Sequence, residues 1–468
     1  MQRRSDYLRY QRAMGRRRRN IWWLLIAIPL ICLLLYLVYL IPPINDRLSG
    51  RVEEIRTRII YFFKPPSEAI FLPDEQAELA LIVQQTLAAA TNNAGATSTI
   101  DLATLDPAAS PLPDATQTVT PTPLPQTVDL EGVKYVDQHG RWNYCGPANL
   151  TMALNYWGWK GTRDDVARVV KPGVPDESDF IQAGYPDKNV MPYEMTDFVE
   201  SETEFNAILR IGGEIDLLKS LIASGYPVVI EKGYYEADYT GKIAWLGHYL
   251  FVTGFDEGQG YFIVQDAYLE PGKNLQSDYE TFIEGWRSFN YTFFVVYPAE
   301  KEYEVLAILG PWADVNWARG HALEMANKEI QELSGIDEFF AWFNKGSSHV
   351  ALDEYGDAAF AYDYAFVLYS QLGGGDTQRP YRIMWYQTGP YWAYYYSGRY
   401  NDVISLANTT LNDTISEPTL EESLYWRGMA YLALGQTGDA VADFQQAVYI
   451  NPNFEAGLSI LAQLGVSP

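Results

Sequence analysis

Ile21 to Ile41 is a run of 21 residues without a single charge, and it sets the first limit on how this chain can be organised. About 20 apolar residues are what a helix needs to cross a bilayer. Arg16–Arg19 abut the N-terminal end of the run, and the first twenty residues carry eight arginines against one acid, Asp6. The positive-inside rule then predicts a basic cytoplasmic tail over 1–20, a transmembrane helix over 21–41 and everything later outside the cytoplasm. A cleaved signal peptide would have a shorter apolar core and a small-residue cleavage site. This run ends instead in Ile41-Pro42-Pro43. A lipoprotein would need a small residue before its cysteine, and Cys32 follows Ile31 in mid-span.

Residues 42–128 read as a helical stalk (Leu48–Lys64 and Asp74–Ala90) followed by a linker. From Thr97 to Val128 there is no Lys, Arg or aromatic residue, and there are six prolines. Such a composition gives a semi-extended spacer with no core-forming capacity.

From residue 129 the pattern becomes globular. A helix is expected from Pro147 to Trp157, and strands over Tyr226–Ile230, Tyr249–Phe255, Tyr261–Val264 and Tyr291–Tyr297. Helix first and strands second predicts an α+β domain over 129–299. Residues 300–468 turn helical and repetitive. Residues 421–454 fit the 34-residue tetratricopeptide template through Gly428, Tyr431, Gly435, Ala440, Phe444, Ala447 and Pro452. Residues 339–372 fit less completely and 384–417 weakly. Ala313–Leu333 reads as a degenerate repeat or a capping helix.

The net charge of −25 excludes nucleic acid as a partner, since phosphate binding needs a basic face. No Cys or His pair has metal-ligand spacing, and no nucleotide-binding Gly motif occurs, so no metal and no cofactor is expected. His139, His321 and His349 read as surface or packing residues.

Chemistry concentrates in Gln138-His139-Gly140-Arg141-Trp142-Asn143-Tyr144-Cys145-Gly146-Pro147-Ala148. A cysteine at a helix start feels the positive end of the helix dipole, which favours thiolate. An amide seven residues upstream can loop back to join the Cys145 N–H as an oxyanion hole. His248 lies at the start of one strand and Asp266 at the end of the next, which a hairpin would bring together as a base oriented by a carboxylate. The Trp142/Tyr144 pair and an aromatic loop over Tyr234–Trp245 suggest the substrate cleft.

These motifs together resemble the double-glycine leader peptidases and their stand-alone relatives, which are papain-like cysteine peptidases. The resemblance covers about residues 130–298. It implies Cys145 as nucleophile, His248 as general base, Asp266 as the orienting acid and Gln138 as oxyanion donor. The best-known members precede an exporter's membrane and ATPase domains, which this chain lacks, and that argues against a Gly-Gly leader substrate. The expected function is a membrane-anchored extracytoplasmic cysteine peptidase acting on a peptide or protein, its repeats binding a protein partner. The alternatives are an idle scaffold recruiting proteins through its repeats, and a cell-wall amidase.

Overall fold

The computed structural model describes residues 70–73, 124–141, 143–172, 189–237, 243–373, 379–380, 382–413 and 420–468. The expected cytoplasmic tail, membrane helix and two stalk helices lie outside these residues. Among the described residues no helix is long and apolar enough to cross a membrane.

The first half is α+β. In chain order it comprises β1 (Thr127–Asp129), α1 (Cys145–Tyr156), α2 (Arg163–Val170), α3 (Pro192–Glu202), β2 (Phe205–Arg210), α4 (Ile215–Ala223), β3 (Val228–Ala237), β4 (Ile243–Asp256), β5 (Tyr261–Gln265), β6 (Leu275–Asp278), α5 (Tyr279–Arg287) and β7 (Phe293–Pro298). The strands form one antiparallel sheet in the order β2-β7-β3-β4-β5-β6, with β1 added along β4. Strand β4 is the spine, 14 residues long and bordered by three others.

Alternation along the central strands fills both faces of the sheet. Val229, Phe251, Phe294 and Val296 pack with Leu150, Leu154 and Cys145 of α1 and with Phe198 of α3. Ile230, Leu250, Val252 and Val295 pack with Leu218, Leu221, Phe282 and Trp286 of α4 and α5. Helix α1 is thus held against the sheet almost all round, ten of its twelve residues being buried. A buried helix of that kind holds its N-terminus firmly.

Two expectations change. Thr127 and Val128, read as spacer, belong to β1 and register with Asp256 and Phe255 of β4. The aromatic loop expected over Tyr234–Trp245 is mostly hairpin: Tyr234 and Tyr235 register with Leu246 and Trp245. Tyr and Trp are strand formers, and Phe340 and Tyr386 of the second half cover Trp245.

The second half is helical: α6 (Glu302–Leu309), α7 (Val315–Glu332), α8 (Ile336–Ala351), α9 (Tyr355–Gln371), α10 (Gly389–Tyr396), α11 (Tyr400–Asn408), α12 (Glu421–Ala433), α13 (Thr437–Ile450) and α14 (Glu455–Gln463). Helices α8–α9, α10–α11 and α12–α13 are hairpin pairs corresponding to the three segments expected from the repeat template. Their glycines allow close approach. A Cβ on Gly428 would stand 2.6 Å from the Phe444 ring, and one on Gly346 would stand 2.7 Å from Tyr362.

The halves share a core. Trp245 of β4 stacks on Phe289 at 5.6 Å and meets Phe340 of α8 and Tyr386 at 5.8 Å each. Polar contacts surround this seam. Asn344 donates to the Arg287 carbonyl at 2.7 Å, Gln387 to the Ser288 carbonyl at 2.6 Å and Asn189 to the Trp385 carbonyl at 2.8 Å.

Candidate active site

Cys145 is the first residue of α1, so its N–H is among those that have no partner within the helix. The turn before it is fixed from several sides. Asn143 has a φ of 54°, a left-handed conformation that Asn tolerates better than most residues. Its side chain donates to Asn189 at 2.5 Å, and its carbonyl accepts from Lys171 at 3.1 Å. Lys171 is itself buried, its ammonium 5.3 Å from the centre of the Tyr144 ring. Tyr144 is therefore part of the packing under the turn rather than an exposed wall of a cleft, and Trp142 lies outside the described residues.

His248 is 5% exposed on β4. Its Nε2 lies 2.9 Å from Oδ1 of Asp266, the residue that follows β5. The same carboxylate oxygen accepts the N–H groups of Tyr268 at 2.8 Å and Leu269 at 3.1 Å. With Nε2 engaged, the ring's hydrogen bond with the Cys145 side chain falls to Nδ1. The rings of Tyr234 and Tyr268 flank the imidazole, their centroids 5.5 and 6.4 Å from it.

The electrostatics follow from these contacts. Burial raises the Cys145 thiol, but the His248 hydrogen bond and charge, the Tyr249 N–H and the Lys171 ammonium overcome it and bring the pKa down. Burial pulls the other way on His248, where the Asp266 carboxylate and Cys145 lift it to about 10. Asp266 also pays a desolvation penalty, which His248 and the two backbone N–H donors outweigh, holding it at about 2. Both shifts run towards a thiolate–imidazolium pair, the thiol down and the imidazole up.

Gln138 sits in the loop between β1 and α1. Its N–H donates to the Ala267 carbonyl at 2.8 Å, tying that loop to the segment just after Asp266. Its side-chain oxygen is buried without a partner among the described residues. The structure thus draws all four expected residues into one region, with Cys145, His248 and Asp266 in a continuous chain of contacts.

Two residues there were not anticipated. Asn149, one turn along α1, donates to the Cys145 carbonyl at 2.9 Å and to the Tyr249 carbonyl at 3.0 Å. It ties the cysteine's helix to the histidine's strand. Its sequence signal was a polar residue on an otherwise apolar helix. Glu231 registers opposite Tyr249, is buried, and is pushed by desolvation well above the usual carboxylate range. Its signal was an acid directly after the apolar run Val228–Ile230.

The other histidines are accounted for by packing. His139 bonds the Tyr268 carbonyl at 2.9 Å, and His321 bonds Glu214 at 2.9 Å. His349, Glu354 and Asp357 are the grouping of metal-ligand type among the described residues, with ligand atoms within 4.8 Å of one another. There His349 Nδ1 is already bonded to Glu354 at 2.6 Å, across the α8–α9 turn.

An α+β domain with a cysteine at a buried helix N-terminus and a strand-borne histidine held by an acid has the arrangement of a papain-like cysteine peptidase. Residues 130–293 match the Peptidase_C39 like family, and residues 421–454 match the tetratricopeptide repeat. The chain thus carries a C39-like peptidase domain joined to a tetratricopeptide repeat. No curated protein gives a significant match. Among solved structures, a C39-like peptidase from Bacillus anthracis aligns at 17% identity with a TM-score of 0.29, covering 37% of this chain and 98% of that one. Xylellain, a cysteine protease from Xylella fastidiosa, aligns at 16% identity with a TM-score of 0.26, covering 40% of this chain and 95% of the other.

Proposed function

We propose that the chain is a membrane-anchored, extracytoplasmic cysteine peptidase, with a repeat domain that binds a substrate or protein partner. The observation that carries the catalytic part is the relay in which His248 bonds Asp266 through Nε2 and Cys145 through its other nitrogen. The membrane part rests on the uncharged run 21–41 and the arginines before it.

In this reading the Cys145 thiolate attacks the carbonyl carbon of a peptide bond. The carbonyl electrons move onto oxygen, where the Cys145 N–H and the Gln138 amide receive the charge. As the C–N bond breaks, the His248 imidazolium gives its proton to the departing amine, leaving a thioester on Cys145. Water then attacks the thioester, with neutral His248 taking its proton, and the thiolate departs to restore the pair. Asp266 holds the ring and stabilises its cationic form without itself taking a proton. The completeness of this set supports an enzyme over an idle scaffold.

The test is a thiol-directed activity probe applied to the full chain in detergent, followed by profiling of cleaved peptides. Labelling at Cys145 and peptide cleavage that both vanish in Cys145→Ala support the reading. Cleavage that persists in that variant overturns it. For topology, external protease on intact cells should remove the C-terminal domains and spare the N-terminus; protected C-terminal domains would refute the orientation.

A further inference from the structure

Four residues of the expected stalk, Ile70 to Pro73, are placed against the repeat module. Phe71 is 4% exposed and belongs to the repeat module's hydrophobic core. Its ring meets Phe366 of α9 edge-on at 5.0 Å and Tyr394 of α10 at 6.0 Å. Ile70 and Leu72 on either side are 39% and 43% exposed. One side chain in and both neighbours out is the period-two pattern of an extended segment. The sequence favours that form, because a residue before proline is driven towards extended backbone, and Leu72 precedes Pro73.

The receiving surface explains why the segment sits there. Three residues join α8 to α9 and α12 to α13. Between α9 and α10 the chain runs from Leu372 to Thr388, through Gly373–Gly375 and Pro380, before the next hairpin begins. Phe71 bridges the two helices on either side of that interruption. Its wall is braced: Tyr394 donates to Asp363 at 2.9 Å, and Arg399 grips the same carboxylate at 2.6 and 3.0 Å. A ring held this way keeps its place whether or not a ligand is present.

We propose that the seam between α9 and α10 is a docking site for a short extended apolar segment with a central aromatic residue, and that Ile70–Pro73 of the same chain fills it. The seam accepts one large ring and leaves the flanking side chains in water, so a phenylalanine between two exposed apolar residues is what it fits. The membrane-proximal segment is then clipped to the C-terminal module. The docked residue occupies a repeat surface that an external peptide of the same pattern would have to compete for.

The test uses the full chain in detergent. Phe71→Ala should lower the thermal unfolding midpoint by several degrees, Phe71→Leu should recover part of the loss, and Ile70→Ala should change little. Chymotrypsin should cut slowly after Phe71 in the parent protein and promptly in Phe366→Ala. The Cys145 alkylation rate, read on the same samples, should stay constant and show that the peptidase half is intact. The parent midpoint should not vary with protein concentration, as a contact within one chain requires. Equal midpoints for Phe71→Ala and Ile70→Ala, or prompt cleavage after Phe71 in the parent protein, would overturn the docking. A midpoint that rises with concentration would overturn its assignment to the same chain.

Discussion

The two halves of the molecule treat buried polar groups differently. In the repeat half the buried charges pair with opposite charges: Arg399 with Asp363 and Asp402, and Arg427 with Asp443 through two hydrogen bonds. In the peptidase half, desolvation pushes the buried Glu231 carboxyl up while the charges of His248 and Lys171 bring the Cys145 thiol down, and unpartnered buried oxygens occur in both halves, on Gln138 and Asn149 here and on Glu329 and Asn344 there. Burying polar groups without full satisfaction costs stability. What sets the neighbourhood of Cys145 apart is the shifted pair of groups, the lowered thiol and the raised Glu231 carboxyl. The contrast separates buried charges that are paired for packing from ionisable groups that are shifted around the candidate site.

Substitutions at the site should have the largest effects. His248→Ala should abolish turnover and move the alkylation of Cys145 towards the pH dependence of an ordinary thiol near pKa ~8.5, since the cation that holds the thiolate is gone. Alkylation rates across pH check this, and an unchanged profile would dissolve the distinction between the halves. Gln138→Ala should slow turnover by ~10²–10³-fold, the usual loss for one oxyanion donor, and leave alkylation nearly intact.

A pH experiment sharpens the comparison further. His248 is raised from 6.5 to about 10, so its share of folding stability is fully present below pH 6.5 and disappears as pH rises through about 10. Turnover needs the imidazolium, so kcat/KM should have an alkaline limb governed by the same group. Asp266→Asn removes the carboxylate that raises His248, and that limb should move to lower pH. A limb that stays in place would show that Asp266 does not set the histidine's charge.

The smallest effects belong to packing. Asn149→Leu removes the donor shared by the Cys145 and Tyr249 carbonyls and should cost about 1–3 kcal/mol; chemical denaturation measures it, with slower alkylation as the sign that the helix has shifted against β4. Gly428→Val forces a side chain towards the Phe444 ring and should cost about 1–3 kcal/mol. Its alkylation rate should match the parent's, because Gly428 lies in the α12–α13 hairpin and touches nothing at the site.

Legibility in the sequence followed the range of the contacts. Cys145 and Gln138 sit in one short stretch, and His248 and Asp266 occupy neighbouring strands of an evident hairpin, so local pattern sufficed to bring them together. Helix α7 falls in Ala313–Leu333, read as a degenerate repeat or a capping helix, and the α12–α13 pair was visible through its template residues. Strands β1, β2 and β6 were missed because runs of three to six residues with few aromatics carry little periodicity. The hairpin end over Tyr234–Trp245 reads as loop because Phe340 and Tyr386, which cover Trp245, come about a hundred residues later or more. Phe71 gave no signal: an apolar run as short as Ile70–Leu72 has no readable period, and its partners Phe366 and Tyr394 lie hundreds of positions away.

The seam around Trp245 has a consequence for how the protein is made. Gly247 lies so close to the Tyr386 ring that a Cβ there would stand 2.7 Å from it, and His248 is the next residue. Synthesis delivers the entire catalytic sequence before Tyr386 exists. A nascent peptidase half leaves the ribosome with Trp245 and Phe289 uncovered on the flank that carries its histidine strand, and the cover arrives only with the repeats. The order of translation thus makes the last part of the chain complete the support for the strand that carries His248.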